Sequence, residues 1–207
     1  TPRPALPDAV RACLFDLDGV LTHTASAHAA AWKETFDELL RARSTRTGEV
    51  FRPFTVPDDY RTYVDGRLRL DGVRAFLASR GIVLPEGSDD DPPDAETVHA
   101  IGRRKNERLL RVIEANGVDV YEGSVRFVEA ACAHGLRRAV VSASRNCAAV
   151  LRAAGIEHLF EVRVDGNVAA ERNLRGKPAP DTFLAAAADL GVPPSACAVF
   201  EDAVAGV

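Results

Sequence analysis

The stretch ACLFDLDGVLT, residues 12 to 22, ends an apolar run in two carboxylates, Asp16 and Asp18, with Gly19 directly behind them. Isolated buried carboxylates are expensive, so a strand that delivers two of them to its end needs a partner for their charge. Further along, RAVVSASRN (138–146) ends an apolar run in hydroxyls and an amide, and ACAVFED (196–202) ends one in Glu201 and Asp202. Four converging carboxylates would repel one another unless a cation lay among them, and an all-oxygen set suits Mg²⁺. Beside such an ion one carboxylate can attack phosphorus to give an acyl phosphate, while a protonated neighbour donates to the leaving oxygen. Lys177, in RGKPAPD, precedes a proline-initiated helix and offers an ammonium to that cluster. Taken alone, DLDG also fits an Asx-type turn at a strand end, and a lone lysine is ordinarily a surface residue.

Those groups meet only if the elements carrying them share an edge. Short apolar runs at 12–16, 138–143, 161–164 and 196–202 fit strands of a parallel sheet covered on both faces. Between the later ones lie helical patterns that stop at glycine: SVRFVEAACAHG, NCAAVLRAAG and PDTFLAAAADLG. This alternation predicts an α/β fold with a doubly wound, Rossmann-like parallel sheet, whose ligands bind at the carboxyl ends of the strands. From about residue 24 to about residue 117 only helical periodicity is found: SAHAAAWKETFDELLRAR, DGVRAFLASRG and AETVHAIGRRKNERLLRVIEANG. The expected organisation is a core of residues 1–23 and 118–207 with a helical domain, 24–117, inserted after the first strand. EGSDDDPPD (86–94) reads as a solvated loop, since it lacks the glycine and distal glutamate of a calcium loop.

With 207 residues, 46% hydrophobic and 27% charged, the chain has the balance of a globular protein with a sizeable core. A net charge of −4, with arginines dispersed among acids, supplies no field for nucleic acid or anionic lipid. No apolar run approaches the length of about 20 residues that spans a membrane, and TPRPALPDAVRA lacks a signal-peptide pattern, so a cytoplasmic protein is expected. Cys13, Cys132, Cys147 and Cys197 are widely spaced in apolar surroundings and are expected to be buried free thiols. The chain has no methionine, so Thr1 is not expected to be the translation start.

Four separated signatures, FDLDGVLT, VVSAS, GKPAPD and FEDAVAG, occur in an order and spacing that resembles the haloacid dehalogenase superfamily of aspartate-nucleophile phosphatases and phosphomutases. The resemblance covers nearly the whole chain, with the helical insertion where that family carries a mobile cap. It implies Asp16 as nucleophile, Asp18 as general acid/base, Ser142 as a phosphate ligand and Lys177 as the steadying cation. The magnesium set would be Asp16, Glu201 and Asp202 with the backbone carbonyl of Asp18. A finer resemblance is to the β-phosphoglucomutase branch: His28 and Trp32 match its first cap helix, Gly66 and Arg69 in DGRLR its cap loop, and Lys105 in RRKN its cap lysine. SASRN is similar to its SASKN-type loop, implicating Ser142, Ala143 and Asn146, with Arg145 in place of lysine.

This resemblance implies a monomer acting on a small phosphate ester, a hexose phosphate, by moving phosphate between its 1 and 6 positions. A sugar-phosphate phosphatase using the same residues is the alternative, and a catalytically silent domain of a larger polypeptide a third reading. His23 replaces the aspartate many relatives have at the cap hinge. The segment RARSTRTGEVFRPFTVPDDYRTYV and the stretch ERNLRGKPAP are longer than in the compact mutase, and the family continues beyond Val207 with another strand and helix.

Overall fold

Four short strands, β1 (Ala12–Phe15), β2 (Arg137–Val141), β3 (Val162–Val164) and β4 (Cys197–Phe200), form one sheet in the computed structural model, which describes residues 5–207. All neighbours are parallel and the order is β3-β2-β1-β4. The chain therefore steps outward from β1 to β3 and returns to place β4 on the free side of β1. That reversal is the topological switch of an open α/β sheet, where the strand ends part to leave a crevice. Register sets Phe15 opposite both Val140 and Phe200, and β2 runs one residue further to Val141 opposite Val164, so Asp16, Ser142 and Glu201 leave the sheet at one edge.

The chain divides into two compact units, one of residues up to Thr24 with Gly117–Val207, the other Ala25–Asn116. In the first, alternation along β1 sends Ala12 and Leu14 to one face, where they pack with Ala139, Val141, Val164 and the Ala186, Ala187 and Leu190 side of α7 (Asp181–Asp189). On the opposite face Phe15 stacks on Phe200 at 4.7 Å and meets Phe127 of α4 (Glu122–Ala133) edge-on. Helices on both faces explain why the strands are continuously apolar. This is the α/β, doubly wound architecture expected. Two short helices complete the unit, α5 (Cys147–Ala153) and α6 (Gly166–Glu171), the latter not foreseen from the sequence.

The second unit packs α1 (Ala25–Thr47), α2 (Arg69–Ser79) and α3 (Val98–Asn116) around Trp32, Phe36, Phe54, Val73, Phe76 and Ile101. Phe36 lies 4.1 Å from the Phe76 ring and 5.3 Å from Phe54. The long α1–α2 connection is fastened by buried Asp37, which accepts from the Phe54 N–H at 2.7 Å and from Lys33 at 2.9 Å. It also carries a turn of π-helix, Tyr60–Val64. The acidic 86–94 loop is mostly exposed, as expected, and is held to α3 by Arg103, which donates to the Asp89 carbonyl at 2.7 Å.

One expectation fails for the thiols. Cys13 and Cys147 are buried and Cys197 is partly so, but Cys132 is exposed, because α4 turns Val128 and Ala131 inward and leaves position 132 outward. No helix among the described residues is long and apolar enough to cross a membrane.

Candidate active site

Asp16 is the first residue beyond β1, and its N–H still pairs with the Phe200 carbonyl at 2.9 Å. That bond fixes it beside Glu201 and Asp202, the first residues beyond β4. Carboxylate oxygens of Asp16, Glu201 and Asp202 all lie within 4.8 Å of one another. Lys177 is buried against them: its ammonium donates to Asp16 Oδ1 at 2.6 Å and to the Glu201 oxygens at 2.9 and 3.1 Å. Burial works against that charge, yet Asp16 and Glu201 outweigh it and hold the lysine above its ordinary pKa. Burial likewise raises Asp16 well above the usual carboxylate range, opposed by Lys177 and reinforced by Glu201 and Asp18. Asp202 is raised too, chiefly by burial.

One ammonium among three such carboxylates leaves the pocket short of positive charge. The donors are oxygens only, they cluster closely, and the protein's own cation does not neutralise them, which is the chemistry that fits Mg²⁺. Two glycines make the cluster possible. Gly19, at φ +91°, lies so close to the Asp202 carboxylate that a Cβ there would overlap it, and Gly206 does the same beneath Glu201.

The Asp18 side chain is held separately. Thr24 Oγ1 donates to Asp18 Oδ1, and Thr22 Oγ1 lies 2.7 Å from Thr24 Oγ1 and 3.2 Å from the Leu17 carbonyl. Both threonines are buried. Their segment pairs through an isolated antiparallel bridge with residues 119–121: Tyr121 N–H donates to Leu21 O at 3.0 Å and His23 N–H to Asp119 O at 2.9 Å. His23 lays its ring 3.6 Å from that of Tyr121, so it serves here as a cross-strand packing residue.

Ser142 follows β2, buried, with its N–H donating to Val164 O at 3.0 Å. Its Oγ accepts from Ser144 N–H at 3.1 Å, and Ser144 Oγ accepts from Asn146 N–H at 3.1 Å. Ser142, Ala143 and Asn146 thus share one tightly turned loop that ends as α5 begins.

The remaining residues singled out by sequence lie in the helical unit. Lys105 is buried, its ammonium 3.1 Å from His28 Nδ1 and 4.9 Å from the centre of the Trp32 ring. Trp32 itself belongs to the unit's core and stacks on Phe36 at 5.1 Å. Gly66 takes φ +68° in the turn before α2, and Arg69 opens that helix with its stem beside Gly102, one turn ahead of Lys105. His28, Trp32 and Lys105 are therefore brought together, with Arg69 placed at a neighbouring helix start. Sequence reasoning missed Thr24 as the partner of Asp18 and Gly206 as the seat of Glu201. The pattern of a threonine six residues beyond Asp18 carries no signal until the chain folds back on itself.

The family model for haloacid dehalogenase-like hydrolases matches residues 10–207. A β-phosphoglucomutase of Mycobacterium tuberculosis is 55% identical over 202 residues, covering 98% of this chain and 77% of that protein. The fructose-1-phosphate phosphatase YqaB of Escherichia coli is 29% identical over 197 residues, 94% of this chain and 87% of that one. Among solved structures, β-phosphoglucomutase from Clostridium difficile superposes with a TM-score of 0.69 at 24% identity, covering 96% of this chain and 78% of the other, a likeness of fold. With its parallel sheet, its inserted helical unit and carboxylates at the switch point, this chain belongs to the haloacid dehalogenase-like hydrolases, as an enzyme of their phosphomutase and phosphatase kind.

Proposed function

We propose that the protein is a Mg²⁺-dependent phosphotransferase that interconverts hexose 1- and 6-phosphates through an aspartyl phosphate on Asp16. The observation that carries this reading is the close cluster of the Asp16, Glu201 and Asp202 carboxylates, with the buried Lys177 ammonium paired to the first two. Bound there by these three carboxylates, magnesium supplies charge neutralisation for the phosphoryl group and the attacking oxygen. Lys177 opposes the effect of burial on Asp16 and orients the carboxylate by donating to Oδ1, which leaves Oδ2 as the attacking atom. Ser142 and the backbone of its loop hold the phosphoryl oxygens, with Asn146 at the loop's end.

Asp18 is the proton carrier. Thr24 Oγ1 donates to Asp18 Oδ1 and is itself in contact with Thr22 Oγ1, which reaches the Leu17 carbonyl, so the Asp18 carboxyl is held in place for that role. It gives a proton to the leaving oxygen and recovers one from the incoming hydroxyl. Arg69 grips the distal phosphate of the bisphosphate, and Lys105, desolvated beside His28 and Trp32, contributes to substrate recognition. The 55% identity to a β-phosphoglucomutase supports a second sugar hydroxyl as acceptor, and the relationship to a fructose-1-phosphate phosphatase supports water as the alternative.

The deciding experiment incubates the protein with Mg²⁺, β-glucose 1-phosphate and a trace of glucose 1,6-bisphosphate, following glucose 6-phosphate and free phosphate separately. Glucose 6-phosphate without phosphate release is expected, and Asp16→Asn should abolish it. Release of phosphate alone would replace the mutase with the phosphatase.

A further inference from the structure

The residues after β3 have so far had no role, yet they lie against the loop that carries Ser142. Asp165, almost fully buried, caps α6 by accepting from the N–H groups of Asn167 and Val168 at 2.9 and 3.1 Å, and its other oxygen accepts from Arg163 Nε at 3.0 Å. So fixed, the next two residues reach the loop. Gly166 N–H donates to Ser144 O at 3.2 Å, and Asn167 Nδ2 donates to Arg145 O at 2.8 Å. Gly166 also lacks the Cβ that would stand 2.7 Å from Ala143 O and 3.1 Å from Arg145 N. Two consecutive loop carbonyls, those of Ser144 and Arg145, are therefore tied to one short segment, and the Ala143 carbonyl packs closely against it.

We infer that Asp165, Gly166 and Asn167 are positioning residues that set the backbone of the 142–146 loop for phosphate. The inference rests on the reading of that loop as the phosphate-binding element. A carbonyl tied at one side fixes the peptide plane to which it belongs, and with it the direction of the following N–H. A loop that binds an anion through its backbone depends on several such planes being fixed at once. The loop's own ladder, Ser142 to Ser144 to Asn146, orders it from within, and the 165–167 segment orders it from behind. Because Asp165 is the strand's first residue outward, the same sheet edge that presents Asp16 also anchors this brace.

The test measures binding of inorganic phosphate to the full-length, Mg²⁺-loaded protein by calorimetry, together with Mg²⁺ affinity in a separate titration. Asn167 is exposed, so Asn167→Ala and the isosteric Asn167→Asp, which removes the donor, should fold normally. Each is expected to weaken phosphate binding about 3- to 10-fold and to leave the Mg²⁺ affinity within twofold, whereas Gly166→Ala, which pushes on the Ala143 carbonyl, weakens phosphate binding by more than tenfold. Ser142→Ala is measured alongside. If it weakens phosphate binding while both Asn167 variants bind like the unmodified protein, the brace is wrong and the loop assignment stands. If Ser142→Ala has no effect, the loop assignment falls and this inference falls with it. Equal losses of phosphate and Mg²⁺ binding in the Asn167 variants would mark a general structural role and would also overturn it.

Discussion

Lys177 shows how a single side chain organises the candidate site. It is buried with two carboxylates on its ammonium, and its ring contact to Phe183, 5.2 Å from the centroid, closes the other side. Removing one partner of a buried charge group leaves the others unpaired, which typically costs about 3–5 kcal/mol. Lys177→Ala should therefore lower the unfolding free energy by about 3 kcal/mol in metal-free buffer, read from denaturant midpoints, and abolish turnover. A loss below about 0.5 kcal/mol, as surface ion pairs give, would mean that the ammonium does not bind its carboxylates together. The comparison with Arg74, whose pairs with Asp71 and Glu86 lie near the surface, is instructive: the same formal interaction there is screened by water.

At the scale of elements, the decisive object is the turn out of β1. Asp16 ends the strand, Leu17 is buried, and Gly19 N–H donates to Thr22 O at 2.9 Å as the chain reverses. The turn needs a positive φ at Gly19 and needs the space above it for the Asp202 carboxylate. An alanine fails on both counts. Gly19→Ala should cost about 1–3 kcal/mol in stability from the backbone alone, and because Asp202 must move, Mg²⁺ affinity should fall at least tenfold. Calorimetric titration with Mg²⁺ separates the two effects, and unchanged affinity in a destabilised protein would show that Asp202 does not need that space. The helical unit depends on a different device, the Asp37 clip that returns the chain at Phe54 and lets the Phe54 and Phe76 rings close over Phe36 of α1.

For the whole molecule, net charge and its pairing set the response to acid. Hydrogen bonds from Thr97 and Ser88 hold Asp91 below its ordinary pKa, and hydrogen bonds from Arg74 and Arg46 do the same for Glu86 and Glu96. With a folded pKa below the unfolded one, the native protein binds fewer protons. The stabilisation is fully present above about pH 4–5 and is lost as pH falls through the folded values. Asp91→Asn should thus melt below the unmodified protein at pH 6, with the difference closing as pH is lowered toward 3. A difference as large at pH 3 as at pH 6 would show that Asp91 does not act through its charge. The loop that holds Asp91 reads as solvent-exposed spacer in the sequence, yet these bonds fasten it to the start of α3.

Much of this molecule is legible in its sequence, because strand ends, glycine stops and apolar periodicity are local properties. The four strands, the three helices of the inserted unit, α4, α5 and α7 all follow from patterns a few residues long, and Asp16, Asp18, Glu201 and Asp202 announce themselves as carboxylates where apolar strands stop. Helix α6 escaped, since six residues carry too little periodicity and Asp165, just beyond the apolar run at 161–164, acts as a helix cap only once the chain is folded. What only the tertiary structure decides is pairing between distant positions. Lys177, before α7, and Asp16, after β1, are 161 residues apart and meet at 2.6 Å, and β4, returning beside β1, adds Glu201 as a further partner. The burial of Lys105 against His28 and Trp32 of another helix is likewise invisible along the chain. Residue type fixes which chemistry is available, and the fold, by excluding water around groups far apart in sequence, decides which of those residues share a charge.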